Sequence, residues 1–154
     1  GALKTKMTDL HMHSTASDGT DSPKELLNKV QEAGITVFSL TDHDTIEGVE
    51  EIEPLIPKGL TFIRGIEFSC ITKAGKCHIL GYGYDKDNPL FLDNMGSYYL
   101  VVKHDSKKAL RYYNKVLKKH PDDLTAIRNC ILLARNDKDI KLEKRYLEML
   151  SKYG

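Results

Sequence analysis

The sequence predicts an α/β domain followed by an all-α segment. Two observations carry that expectation. Up to about residue 96, short apolar runs alternate with helix-periodic stretches, and after it only helical periodicity remains. The charge also divides there: residues 1–96 carry 9 basic and 15 acidic side chains, whereas 97–154 carry 14 and 7. We therefore place one domain over 7–96 and a helical segment over 97–154. A chain of 154 residues is long enough to bury a core without disulfide staples.

Taken in order, Leu10-His11-Met12-His13 reads as a short strand. Ser22-Pro23-Lys24-Glu25 then offers an N-cap, a proline at the first helical position and a capping-box glutamate. Leu26, Leu27, Val30 and Ala33 recur at helical spacing up to Gly34, a suitable helix terminator, and Ile35–Leu40 follows as a buried strand. Asp44 and Glu47 repeat the capping-box spacing. Ile46, Val49, Ile52 and Leu55 line one face of the helix they open, and Pro57 and Gly59 end it. Leu60–Ile66 is the next strand, and a turn at Lys73–Lys76 leads into a strand over Cys77–Tyr82. Beyond Ser97, helices fit Ala109–Leu117, Leu124–Ala134 and Ile140–Leu150, with His120-Pro121-Asp122-Asp123 as a break and Asp105 or Ser106 as an N-cap. Arg111-Tyr112 recurs as Arg145-Tyr146, an offset of 34 residues, which points to an internal helix-turn-helix repeat.

Composition excludes several classes. With 40% hydrophobic and 29% charged residues the chain is neither disordered nor collagenous. No apolar run approaches the ~18 residues that span a bilayer, and Gly1–Lys6 lacks the apolar core of a signal peptide. The expectation is a soluble, cytoplasmic protein with no membrane partner. Cys70, Cys77 and Cys130 are odd in number and lack C-x-x-C spacing, so each is read as a buried or half-buried thiol. The basic helical half is read as a solvated face, with an RNA or nucleotide contact as the alternative.

The chemistry-bearing residues lie near strand ends. His11 and His13, two apart on an extended segment, direct both imidazoles to one face and chelate by geometry. Asp18 lies in the polar loop after them, His43 follows the strand ending at Leu40, Glu67 follows Ile66, and His78 opens the last strand. Strand ends are where α/β folds assemble their sites. The competing interpretation treats H-x-H as accidental and the acids as helix caps, which suits Asp44.

Four ordered motifs resemble the PHP (polymerase and histidinol phosphatase) family: His11-Met12-His13-Ser14-x-x-Ser17-Asp18-Gly19-Thr20, Thr41-Asp42-His43-Asp44, Gly65-Ile66-Glu67-Phe68-Ser69 and His78-Ile79-Leu80-Gly81-Tyr82. The resemblance runs from Asp9 to about Asp87 and is nearest to the branch of nucleoside 3′,5′-bisphosphate phosphatases and 5′-to-3′ exoribonucleases. It implies a (β/α)7 barrel holding two or three Zn, Mn or Fe ions, with a metal-bound hydroxide attacking phosphorus. By that pattern His11 and His13 bind one metal, Asp18 and His43 a second, and His78 with Glu67 a third. Glu67 is the candidate bridge, and it and His43 act catalytically through the hydroxide. Asp42 and Asp44 then stand behind the ligands or serve as caps, orienting His43.

The sequence departs from the family after His78. A histidine on a middle strand and a terminal D-x-H pair are missing, and only His104 and His120 remain. A partial barrel followed by an all-α segment is therefore expected, with an open edge covered by the helices or by a second copy of the chain. From about Lys107 the helices resemble one and a half tetratricopeptide repeats, with Ala109, Tyr112, Tyr113, Leu117, Pro121 and Ala126 at favoured positions. The resulting expectation is a metal-dependent phosphoesterase acting on a nucleotide or other phosphate ester. The alternative is a degenerate PHP domain without turnover, binding a protein partner through its helical half.

Overall fold

The computed structural model describes residues 7–154. The chain divides into two compact units, with the division between Tyr84 and Asp85. Position 97, where the charge balance changes, lies inside a helix of the second unit, Pro89–Val101.

In the first unit, β1 (Met7–Asp9), β2 (Ile35–Leu40), β3 (Thr61–Thr72) and β4 (Gly75–Tyr82) form one curled, half-barrel sheet in the order β1-β2-β3-β4. Helix α1 (Pro23–Glu32) connects β1 to β2. Helix α2 (Glu47–Ile52), extended by a 3-10 turn at Glu53–Leu55, connects β2 to β3. These crossovers make β1, β2 and β3 parallel, with Val37 beside Thr61 and Leu40 beside Arg64. Only a two-residue turn separates β3 from β4, so that pair is antiparallel, from Thr72 opposite Gly75 to Gly65 opposite Tyr82.

Local chemistry accounts for the element ends. Ser22 accepts the Glu25 amide while the Glu25 carboxylate accepts the Ser22 amide, so the capping box at α1 is complete. Gly34, at φ 73°, supplies the left-handed residue that turns the chain from α1 into β2. The second capping box does not form. Asp44 accepts the Ser69 amide at 2.8 Å instead, and the Glu47 amide goes to Thr45 Oγ1 at 3.1 Å. Leu10–His13 also differs from expectation: β1 ends at Asp9, whose carboxylate takes the His11 amide and turns the chain out of the ladder.

Leu27 and Val30 of α1, Phe38 and Leu40 of β2, and Val49 and Ile52 of α2 form the core of this unit. Phe38 and Phe62 pack with ring centroids 5.0 Å apart. Burial of each such side chain contributes about 1.5–3 kcal/mol relative to exposure. Leu55, assigned to the same helical face by periodicity, is 46% exposed because the chain tightens into the 3-10 turn before reaching it.

The second unit comprises α3 (Pro89–Val101), α4 (Ser106–Lys119), α5 (Leu124–Asn136) and α6 (Ile140–Tyr153). Each helix packs against the next, and α3 also meets α5. Asn88, Asp105, Asp123 and Asp139 cap the four helices, each accepting a backbone amide from the first turn. The 34-residue offset extends to conformation. The bounds of α4 and α6 are 34 apart, Asp105 and Asp139 are equivalent caps, and the preceding His104 and Lys138 both adopt positive φ, 53° and 55°. Tyr112 and Tyr146 are both buried at the same helical position. His120 terminates α4, its amide bonded to the Val116 carbonyl. No helix among the described residues is long and apolar enough to cross a membrane.

Candidate metal centre

The parallel strands deliver three chain segments to one edge of the first unit. The segment after β1 carries His11 and His13. Thr41 fastens it to the end of β2, donating both its amide and its hydroxyl to the Met12 carbonyl at 2.8 and 3.1 Å. The segment after β2 is joined to β3 by an isolated parallel bridge between His43 and Glu67. There the Glu67 amide donates to the Asp42 carbonyl and the Asp44 amide to the Glu67 carbonyl. Glu67 lies past Arg64, the last β3 residue registered with β2, so it occupies the end of the parallel ladder. The hairpin returns β4 alongside, and His78 sits diagonally across from Glu67 on the same face.

Glu67 is the hub. Its Oε2 lies 3.2 Å from His11 Nε2, 3.0 Å from His13 Nε2 and 3.5 Å from His43 Nε2, and its Oε1 lies 3.1 Å from His78 Nδ1. Asp18 approaches from the loop, with Oδ1 3.1 Å from His13 Nδ1 and Oδ2 3.3 Å from His43 Nε2. All six residues expected from the sequence therefore converge. They fall into three overlapping groups able to hold a cation: His11, His13 and Glu67; His13, Asp18 and His43; His43, Glu67 and His78. Glu67 belongs to two of these groups, as do His13 and His43.

The donor set suits a divalent transition metal better than it suits hydrogen bonding alone. Two ligands at about 2.1 Å from a tetrahedral ion are about 3.4 Å apart, near the 3.0–3.5 Å that separates imidazole nitrogens from carboxylate oxygens here. The rings of His11 and His13, His13 and His43, and His43 and His78 have centroids 5.1, 4.4 and 5.1 Å apart, so four imidazoles share one small space. Nδ1 of His13 and Nδ1 of His43 are buried without a hydrogen-bond partner; the 3.1 Å approach of Asp18 to His13 is not aligned for one. Burial of the Glu67 carboxyl would raise its pKa, but hydrogen bonds from His11 and His78 and the nearby His43 hold it below the ordinary carboxylate value. A pre-ionised, buried carboxylate ringed by imidazoles is a ready cation ligand.

Asp42 does not bond to Nδ1 of His43, which has no hydrogen-bond partner. Fully buried Asp42 accepts from the Ser14 amide at 2.5 Å, the Ser14 hydroxyl at 2.7 Å and the Ser17 hydroxyl at 2.9 Å, so it braces the loop that carries Asp18. Asp44, in the left-handed region at φ 56°, ties this turn to the Ser69 amide of β3. Ser14 and Ser17 stand within the first motif with no task evident from the sequence, and Gly48 lies outside every motif. A Cβ at Gly48 would lie 2.2 Å from Asp42 Oδ2 and 2.9 Å from Ser14 Oγ, so only glycine lets α2 pass this carboxylate. The signal was legible as a glycine inside an otherwise helix-periodic stretch.

The chain is similar to several known proteins. The chain is 44% identical over 86 residues to a 5′-3′ exoribonuclease of Haemophilus influenzae, covering 55% of this chain and 31% of that protein. It is 34% identical over 82 residues to a 3′,5′-nucleoside bisphosphate phosphatase of Chromobacterium violaceum, covering 53% and 29%. Among solved structures, an amidohydrolase from Chromobacterium violaceum with bound sulfate and no metal superposes with a TM-score of 0.48 at 21% identity, covering 73% of this chain and 50% of that one. The chain thus spans about a third of the length of the curated relatives it matches. The family model for the PHP domain matches residues 9–154, running through the helical unit as well as the half-barrel. With more than half of its length matched in this way, the chain belongs to the PHP domain family.

Proposed function

We propose that this chain carries the metal centre of a PHP-type phosphoesterase that hydrolyses a phosphate ester of the nucleotide or oligonucleotide class. The observation that supports this reading most strongly is the hub at Glu67: one buried carboxylate within 3.5 Å of four imidazoles drawn from three different chain segments. His11, His13, Asp18, His43, Glu67 and His78 would hold two or three Zn, Mn or Fe ions, with Glu67 shared between groups. Ions held there would draw charge from a phosphoryl oxygen and make water acidic enough to act as a nucleophile near neutral pH. Glu67 keeps its proton off, Asp42 holds the loop under Asp18, and Asp44 fixes the turn that presents His43. The substrate class follows the named activities of the relatives, an exoribonuclease and a nucleoside bisphosphate phosphatase.

The test is phosphate or nucleotide release from a nucleoside 3′,5′-bisphosphate and from a 5′-phosphorylated oligoribonucleotide, with Mn²⁺ or Zn²⁺ supplied and then chelated. Metal-dependent release that disappears in Glu67→Ala is expected; equal release by the variant would remove Glu67 from the chemistry. A second reading is favoured by the equal length and matched aspartate caps of α4 and α6: a PHP domain that holds ions without turnover and assembles through its helices. Bound metal with no release from either substrate selects that reading.

A further inference from the structure

Cys70 of β3 and Cys77 of β4 stand directly opposite one another in the antiparallel register, two pairs in from the turn. Both are half-buried. Directly opposed residues in an antiparallel pair have Cα atoms about 4.5–5.5 Å apart, inside the roughly 4.4–6.8 Å range that a disulfide spans. Side chains alternate along each strand, so the two thiols share the sheet face opposite to Glu67 and His78. The pair nevertheless borders the metal centre through the backbone: Cys77 precedes His78, and Cys70 follows Ser69, whose amide is held by Asp44.

We propose that Cys70 and Cys77 are a redox couple that hydrogen peroxide closes into a cross-strand disulfide, bridging the hairpin beside His78. Peroxide first converts one thiol to a sulfenic acid, its O–O bond breaking and one water leaving. The sulfur of the facing thiol then attacks, the S–S bond forms, the S–O bond breaks, and the hydroxyl leaves with the thiol proton as a second water. The two cysteines together lose two protons and two electrons, and the peroxide is reduced to two waters. The third thiol is an internal control. Cys130 is fully buried among α5 neighbours and burial pushes its pKa up to about 12, so it offers neither access nor thiolate. The couple stands independently of the metal assignment, since it requires only the register of β3 and β4.

The experiment is to expose the folded, full chain to a small molar excess of peroxide, quench with iodoacetamide, and compare intact mass and tryptic peptides without reduction. Lys73 and Lys76 lie between the two cysteines, so trypsin separates them unless they are bridged. The expected result is a monomer lighter by two hydrogens, a linked Cys70–Cys77 peptide pair, reversal by dithiothreitol, and Cys130 alkylated only after denaturation. Cys70→Ser and Cys77→Ser should each abolish the loss of two hydrogens. Oxygen added to a single cysteine, disulfide-linked dimers, or unchanged thiols in the parent chain would overturn the proposal. The peptide map of the parent decides the matter even where a serine variant folds poorly.

Discussion

The two units spend their polar side chains in opposite ways. In the helical unit, Asp105, Asp123 and Asp139 each satisfy a first-turn amide, Tyr146 donates to Asn114, and Tyr113 pairs with Ser97. In the half-barrel, two buried imidazole nitrogens lack hydrogen-bond partners, and one buried carboxylate is crowded by four imidazole rings. Groups whose needs are met within a turn of helix are explained by folding alone. Asp93 Oδ1 of the helical unit is also unmet, but among the described residues the unmet ring nitrogens of the half-barrel belong to groups of three that could hold a cation, which is why the same residue types read as structure in one unit and as candidate chemistry in the other.

That contrast can be broken or sharpened by substitution. The largest effect is expected at Glu67→Ala, which removes a donor shared by two of the three groups; affinity for Zn²⁺ or Mn²⁺ should fall by more than about 100-fold in a competition titration, beyond the loss typical of supporting residues. An unchanged titration would mean that the hub is not a ligand. Phe38→Ala, in the core of the half-barrel, should cost about 3–5 kcal/mol in urea unfolding through lost burial and a cavity beside Phe62.

A pH effect should appear in the helical unit. Burial of Asp93, with the Asp123 carboxylate beside it, pushes its pKa from 3.8 up to about 6. The folded chain therefore holds this proton more tightly than the unfolded chain, so the contribution is fully present below pH 3.8 and is lost as pH rises through about 6. Asp93→Asn should flatten that stretch of the stability profile; a slope equal to the parent's would assign the effect elsewhere. The smallest change is expected for Asp139→Ala, about 1 kcal/mol from the lost cap of α6, measurable by thermal unfolding.

Much of this was legible in the sequence because the signals were local. Ser22, Pro23 and Glu25 marked the start of α1, and Ile35–Leu40 matched β2 residue for residue. His11, His13, Asp18 and His43 could be named because they follow β1 and β2, parallel strands that end together, whereas Glu67 and His78 lie within β3 and β4. What failed was local chemistry overruled by distant partners. Asp44 has cap spacing to Glu47, yet the amide of Ser69 claims it. Asp42 borders His43 in sequence, yet its oxygens are taken by Ser14 and Ser17. The antiparallel return of β4, and with it the apposition of Cys70 and Cys77, depends on register that strand composition does not encode.

Metal content per chain tests the central claim most directly. Protein purified without chelator, reloaded with Zn²⁺, Mn²⁺ or Fe²⁺ and desalted, should carry about two or more equivalents by plasma mass spectrometry, with a clear loss in a folded His43→Ala variant. Less than about a tenth of an equivalent in the parent after reloading would contradict the account. The six converging side chains would then be a polar cluster without a metal.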